Sequence, residues 1–204
     1  MIEVFTVGPL ETNCYLLYNS KEGVVIDAGG IDLESLIEFI EKENIKVKYV
    51  LATHGHFDHV MGVRLLKERY NTLFLINEKD LELLKDAVRI AKLFSISIDN
   101  VPEPDAFIKG DDTIEVGNIK IRVIETPGHT MGSLCFLAED YLFTGDTLFS
   151  GTIGRTDLGG SEELMIESLK KLKMMDDKLK IMPGHGPPSI LGYEKKYNPF
   201  LVNL

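Results

Sequence analysis

Five histidines and two aspartates in this 204-residue chain have the types and spacing of a metal site. His54, His56 and His59 fall within six residues, while His129 and His185 occupy matching Pro-Gly-His turns, each after an apolar stretch. Imidazole is the commonest protein ligand for zinc-like ions. None of the five falls mid-strand or on a predicted helix face, where packing alone would account for it. In an extended segment alternate residues face the same side, so His54 and His56 can grip one ion. His129 then completes a three-histidine set. Asp58 and His59 follow too closely to reach the same tetrahedral ion, so they open a second set, which His185 joins. Two cations about 3.5–4 Å apart repel each other and need an anion between them. Asp146, in the small-residue turn Thr144-Gly145-Asp146-Thr147, is the candidate bridge. Taken alone it reads equally as a turn residue or helix cap; beside the histidine loops it reads as a ligand. The donor set suits two divalent ions, zinc first, although such N/O sites also accept iron or manganese. A two-ion centre brings the pKa of bound water to about 7 and supplies a bridging hydroxide without any Ser or Cys nucleophile. Asp58 is expected to orient that hydroxide as well as bind metal, and is the candidate catalytic residue.

The elements that must carry these loops alternate between strand and helix. Ile2–Val7, Thr12–Tyr18 and Glu22–Ile26 are short, β-branched and aromatic, and separated by Gly, Pro, Asn and Ser, which predicts a strand meander. Leu33, Leu36, Ile37, Phe39 and Ile40 share one face of a helix predicted over 32–43, with Asp32 as its N-cap. A strand over 46–52 feeds the His54 loop. A helix over 60–70 and the strand Leu73–Ile76 complete a βαβ unit, so part of the sheet is parallel. A long amphipathic helix over 78–94 and an irregular connection over 95–105 follow. Strands resume at 112–116, Ile119–Glu125, 133–138 and 141–144, with tight turns at Gly117-Asn118 and Glu139-Asp140. A helix over 164–174 and a strand over 179–182 close the pattern. The two Pro-Gly-His turns give a faint internal echo, and no linker intervenes. Residues 1–204 therefore read as one domain of two pseudo-repeated halves, about 1–110 and 111–204.

Composition limits the partners. Apolar residues make up 44% of the chain, enough for a proper core. The net charge of −10 repels phosphate backbones and anionic headgroups, so neither nucleic acid nor membrane is expected as a partner. The longest apolar run, Leu134–Ala138, is far short of the ~20 residues that span a bilayer. Met1-Ile2-Glu3-Val4 lacks the basic and apolar regions of a signal peptide, and Cys14 and Cys135 make no disulfide framework, so a cytoplasmic protein is expected. Both cysteines sit inside strand patterns and read as packing residues. The absence of Gln and the Lys/Glu-rich helices lean toward a thermophilic source.

Together, His54-Gly55-His56-Phe57-Asp58-His59, Pro127-Gly128-His129-Thr130, Gly145-Asp146-Thr147 and Pro183-Gly184-His185-Gly186 resemble the metallo-β-lactamase superfamily, over almost the entire chain. The resemblance implies a four-layer αββα sandwich of mixed α/β class, with the site at one edge of two facing sheets. It also implies that Asp27, in Val25-Ile26-Asp27-Ala28-Gly29, orients a ligand imidazole. His at position 56 argues against the flavodiiron oxygen reductases. Leu148-Phe149 and the run from Gly151 to Ser161 are most similar to the glyoxalase II group, in its short bacterial form without the C-terminal helical domain that binds glutathione. Where that group places a Lys and a Tyr on glutathione, this sequence has Arg155 and Asp157. Arg155 is the candidate substrate-binding residue, suited to a carboxylate.

The expected reaction is hydrolysis of a small-molecule acyl thioester such as S-2-hydroxyacyl-glutathione. The titratable groups of the motif loops are committed to metal, so no general acid is free. A thiolate, with a conjugate-acid pKa of about 8.5, departs without one. A lactonase of the same fold is an alternative. So is a one-iron persulfide dioxygenase, whose triad by resemblance is His54, His129 and Asp146. Ile90, Leu93, Phe94 and Ile96 either roof the site or form a dimer contact; the sequence leaves monomer and homodimer open.

Overall fold

The computed structural model describes residues 1–98 and 100–204. β1 (Ile2–Val7), β2 (Thr12–Tyr18) and β3 (Glu22–Ile26) form the antiparallel meander, with Ile2 opposite Leu17 and Leu17 opposite Val24. The next strands join in parallel, which requires a crossover at each step. α1 (Glu34–Lys42) leads from β3 to β4 (Lys46–Leu51); α2 (Phe57–Val60) and α3 (Val63–Tyr70) lead from β4 to β5 (Leu73–Ile76). A 3-10 turn over Glu78–Asp80 and α4 (Leu81–Leu93) precede β6 (Ala106–Phe107), which completes the sheet in the order β1-β2-β3-β4-β5-β6.

The second sheet begins with β7 (Thr113–Val116), β8 (Ile119–Glu125), β9 (Leu134–Ala138) and β10 (Tyr141–Gly145), all antiparallel neighbours. A small hairpin of β11 (Leu148–Phe149) and β12 (Thr152–Ile153) follows, then α5 (Glu162–Lys173). β13 (Lys180–Pro183) pairs in parallel with β10, and β14 (Ser189–Ile190) closes the order β14-β13-β10-β9-β8-β7. α6 (Leu191–Tyr197) and α7 (Pro199–Val202) end the chain.

Alternation along the strands sorts three cores. Tyr15, Leu17, Val24, Ile26 and Leu51 face Ile121, Val123, Phe136 and Phe143 between the sheets, where the Tyr15 and Phe143 rings meet edge-on at 5.1 Å. Leu16, Val25, Val50 and Phe74 face outward onto Leu36, Ile40, Val63, Leu66 and Leu84 of the first helical layer. Cys135, Leu142 and Ile181 face Met165, Leu169, Leu172, Leu191 and Leu201 on the other side. Both sheets are mixed, and the layers run helix, sheet, sheet, helix, as the αββα expectation has it.

The structure corrects several local expectations. Asp32 does not cap α1: Leu33 holds the N-cap position, and Asp32 instead accepts a hydrogen bond from the Gly8 N–H at 2.8 Å. The helix expected over 60–70 begins at Phe57 and breaks at Met61-Gly62. There the Gly62 N–H donates to the Ala28 carbonyl, and a Cβ at Gly62 would lie 2.3 Å from the Gly30 oxygen. The early start places Asp58 and His59 in a helical turn rather than in a loop. The first turn of the helix expected over 78–94 is 3-10, and β6, β11, β12, β14, α6 and α7 are additions to the sequence reading. The turns at Gly117 and Glu139 are as expected, with φ of 60° and 54°. Residue 99, inside the connection expected over 95–105, lies outside the described residues. No helix among the described residues is long and apolar enough to cross a membrane.

Candidate metal centre

Strand direction brings the donors together. β3, β4 and β5 run the same way, so the segments after them carry Asp27, His54 and Asp80 to one rim of the first sheet. β8 and β10 are each antiparallel to β9, and β13 is parallel to β10, so His129, Asp146 and His185 leave the second sheet at one rim too. Backbone bonds lock the rims together: Asn13 N–H donates to the Gly184 carbonyl and Leu134 N–H to the Thr53 carbonyl, both at 2.8 Å.

All seven expected donors meet there. Nε2 of His54 and of His129 lie 3.0 and 2.9 Å from Nδ1 of His56. On the other side, Oδ2 of Asp58 lies 3.6 Å from His59 Nε2 and 3.3 Å from His185 Nε2. Asp146 stands between the groups, with Oδ1 3.4 Å from His59 Nε2 and Oδ2 3.6 Å from His129 Nε2 and 3.7 Å from His185 Nε2. The donor atoms of His54, His56 and His129 lie within 4.8 Å of one another, as do those of Asp58, His59 and His185.

Outer contacts fix which ring nitrogens are free. His129 Nδ1 donates to the Arg155 carbonyl at 2.7 Å, and His185 Nδ1 donates to the Leu10 carbonyl at 3.0 Å. The Thr53 hydroxyl donates to Asp27 Oδ2 at 2.8 Å, so it accepts from His54 Nδ1 at 3.1 Å. Asp27 also accepts the Thr53 N–H at 2.7 Å, and its Oδ2 lies 3.0 Å from His59 Nδ1. Protons held on these Nδ1 atoms leave each Nε2 lone pair facing inward, the arrangement metal-binding imidazoles use. Asp27, which the resemblance implied orients a ligand imidazole, stands beside His59.

The electrostatics suit the binding of cations. Burial, then the neighbouring imidazoles His59, His129 and His56, holds His54 well below the usual histidine range. Burial and His129 bring His56 down to about 3. Burial opposes charge on His59 too, yet Asp27, Asp146 and Asp58 around it raise its pKa to about 10. Asp58 is also buried, but His59 and His185 hold its carboxyl well below the ordinary range. His59 Nε2 and Asp146 Oδ1 are buried without a hydrogen-bond partner, a costly state that a shared cation relieves. The donor set suits a dinuclear centre. Space is tight: a Cβ on Gly184 would lie 2.2 Å from Asp146 Oδ1 and 2.8 Å from His59 Cε1, so the second Pro-Gly-His turn admits only glycine.

One contributor escaped the sequence reading. Asp80, buried in the 3-10 turn, accepts the Gly55 N–H at 2.8 Å, the Gly132 N–H at 2.7 Å and the Thr130 hydroxyl at 2.7 Å. It thereby ties the loop of His54 and His56 to the loop of His129. Burial raises its pKa, and the donors from Thr130, Gly55 and Gly132 oppose that rise. The available signal was an acid directly after a strand, in Asn77-Glu78-Lys79-Asp80, which resembles an ordinary helix start.

A cleft of about 610 Å³ opens over the donors, lined by His56, Asp58, His129, Asp146 and His185 on one side and by α4 on the other. Leu83, Ile90, Leu93 and Phe94 face it, and Ile96 packs on the first-sheet core instead. Arg155 lines the cleft as expected, but its guanidinium is gripped by Asp157 through two 2.6 Å hydrogen bonds rather than left free for a carboxylate.

Comparison with known proteins agrees with this geometry. The profile of the Metallo-beta-lactamase superfamily matches residues 7–185. Hydroxyacylglutathione hydrolase GloC of Haemophilus influenzae is 35% identical over 98% of this chain and 97% of its own. Among solved structures, BLEG-1 B3 metallo-beta-lactamase superimposes with a TM-score of 0.91 at 34% identity, covering 98% of this chain and 99% of that one. TTHA1623 in a di-iron-bound form does so with a TM-score of 0.90 at 33% identity, covering 98% and 100%.

Proposed function

Because this chain belongs to the metallo-β-lactamase superfamily, which includes many metal-dependent hydrolases, we propose that it is a dinuclear hydrolase that cleaves acyl thioesters, with zinc as the first choice of metal. The observation that carries the reading is the pair of donor sets sharing Asp146. The convergence of Asp58, His59 and His185 favours two ions over the single-iron triad, which would leave those three without a role.

His54, His56 and His129 would hold one ion, Asp58, His59 and His185 the other, and Asp146 would serve both. Bound there, two ions would supply a hydroxide nucleophile near neutral pH and polarise the acyl carbonyl. The chain's own groups do the rest. Asp58, at the cleft floor and held ionised by His59 and His185, accepts the hydrogen bond that aims the nucleophile. Asp27 and the Arg155 and Leu10 carbonyls hold the imidazoles in register. Among the described residues lining the cleft no acid is free to protonate a poor leaving group, so the scissile bond is one whose leaving group departs as an anion. A thioester meets that need: water adds at the acyl carbon, the C–S bond breaks, and a carboxylate and a thiol are released. The S-2-hydroxyacyl-glutathiones belong to this class, and the similarity to GloC supports it.

The test is a panel of thioesters, lactones and β-lactams with protein loaded with zinc, iron or manganese and assayed for metal content. Thioesters turned over fastest by protein holding about two ions support the reading. Faster cleavage of a lactone or β-lactam overturns the substrate class. Oxygen consumption with a persulfide by iron-loaded protein overturns the hydrolase itself.

A further inference from the structure

The wall of the cleft that faces the donors is apolar and largely open. Leu93 is 73% exposed and Phe94 51%, and Leu10, Leu83, Ile90 and Leu158 complete the same surface. Side chains of this kind at a cavity gain by being covered. The surface is continuous with the metal donors: the Phe94 ring sits 5.4 Å from that of Phe57, the neighbour of Asp58. Whatever occupies the donors must therefore lie along it. The charges point the same way. Arg155 is the one Lys or Arg among the described lining residues, and Asp157 neutralises it with a bidentate pair. A substrate with a carboxylate-bearing tail would find no free Lys or Arg among the described lining residues, and would approach a chain of net charge −10.

We propose that this cleft selects an acyl thioester whose non-reacting part is apolar and uncharged, and that the Arg155–Asp157 pair excludes anionic tails. The proposal rests on the hydrolase reading above. Phe94 and Leu158 are then specificity-determining residues, and Asp157 keeps Arg155 from serving as a carboxylate anchor.

The experiment compares four thioesters, acetyl and hexanoyl, each on glutathione and on the neutral thiol N-acetylcysteamine, with zinc-loaded protein. Each methylene buried is worth up to about a fourfold gain in kcat/KM. Hexanoyl-N-acetylcysteamine is expected to be the best substrate, by tenfold or more over acetyl-glutathione. Phe94→Ala should narrow the hexanoyl-to-acetyl ratio about fivefold. Asp157→Asn, which frees Arg155, should raise kcat/KM for the glutathione thioesters relative to the neutral ones. A preference for acetyl-glutathione, or a hexanoyl-to-acetyl ratio unmoved by Phe94→Ala, overturns the proposal.

Binding of inert ketone analogues, in which CH2 replaces the thioester sulfur, is measured calorimetrically alongside. If no thioester is turned over, the hydrolase reading falls. The calorimetric ranking then still decides the specificity: tighter binding of the longer neutral analogue supports it, and tighter binding of the glutathione analogue overturns it.

Discussion

The backbone carbonyl of Arg155 accepts a 2.7 Å hydrogen bond from Nδ1 of His129. One residue thus serves the donor cluster through its main chain and the cleft through its side chain. The two roles are separable by mutation, because truncating the side chain leaves the carbonyl in place. Arg155→Ala is expected to retain about two metal ions per chain and to lower kcat/KM for glutathione thioesters, which would then meet an unpaired Asp157, while neutral thioesters change little. Loss of metal in this variant, read by elemental analysis, would show that the side chain is needed to hold the loop.

Asp58 is the carboxylate for which removal should be most damaging. It faces His59 and His185 from one oxygen and lies at the cleft floor. Asp58→Ala is expected to reduce kcat by about 10²–10⁴, the range that positioned acid–base groups command. It should also drop the metal content toward one ion, since His59, His185 and the shared Asp146 would hold the second more weakly. Full activity with one ion remaining would transfer the nucleophile-orienting role elsewhere.

The seven donors were legible because chemistry-bearing residues recur after strands, and a strand end is where a rigid scaffold can aim a side chain. The sheet meander and the tight turns were legible for a similar reason: short β-branched and aromatic runs and Gly or polar turn residues are local signals. What was lost depended on distant partners. Asp32 has the residue type of an N-cap, but the Gly8 amide, distant in sequence, claims its carboxylate. The 60–70 pattern reads as an unbroken helix, yet Gly62 is pressed against the Ala28–Gly30 backbone and interrupts it. α6 and α7 are only about two turns and one turn long, anchored by the buried Glu194, which accepts from the Gly151 N–H at 2.8 Å and the Asn198 amide at 3.0 Å. Nothing in the sequence of a Glu announces such partners.

Asp80 shows the same blindness with a functional consequence. Its two oxygens take three donors from two loops that carry His54, His56 and His129. Asp80→Ala leaves the Gly55 and Gly132 N–H groups unpaired, at about 1–3 kcal/mol each where water cannot reach them, while the Thr130 hydroxyl keeps the Ser133 hydroxyl at 2.8 Å. The expected outcome is a folded protein of lowered Tm whose affinity for the ion at the three-histidine set falls about 10–100-fold, the usual cost of losing an outer partner. Asp80→Asn keeps one carbonyl acceptor and should recover part of that affinity, measured by competition with a chelator. Equal metal affinity in wild type and both variants would reduce Asp80 to a stability role.

The two cysteines supply the last prediction, because a thiol is the obvious rival nucleophile for thioester chemistry. Cys14 and Cys135 are both fully buried, and neither lines the cleft. Burial, with the Asp27 charge adding to it, pushes the Cys14 thiol far above its usual range; burial pushes Cys135 up to about 11 despite hydrogen bonds from Thr126 and Thr147. Thiolate is the reactive form, and raising the pKa of a thiol removes thiolate at any pH below it. At pH 8 the folded protein should therefore leave both thiols unlabelled by an aromatic disulfide reagent over hours. The same reagent in guanidinium should titrate two thiols per chain within minutes. Stripping the metal should not change the folded result, since neither sulfur is among the donors. Cys135→Ala should keep its thioesterase activity even though the smaller side chain costs some stability. Rapid labelling of the folded protein, coupled to loss of activity that added substrate prevents, would put a thiol at the reaction centre and remove the case for a water-derived nucleophile.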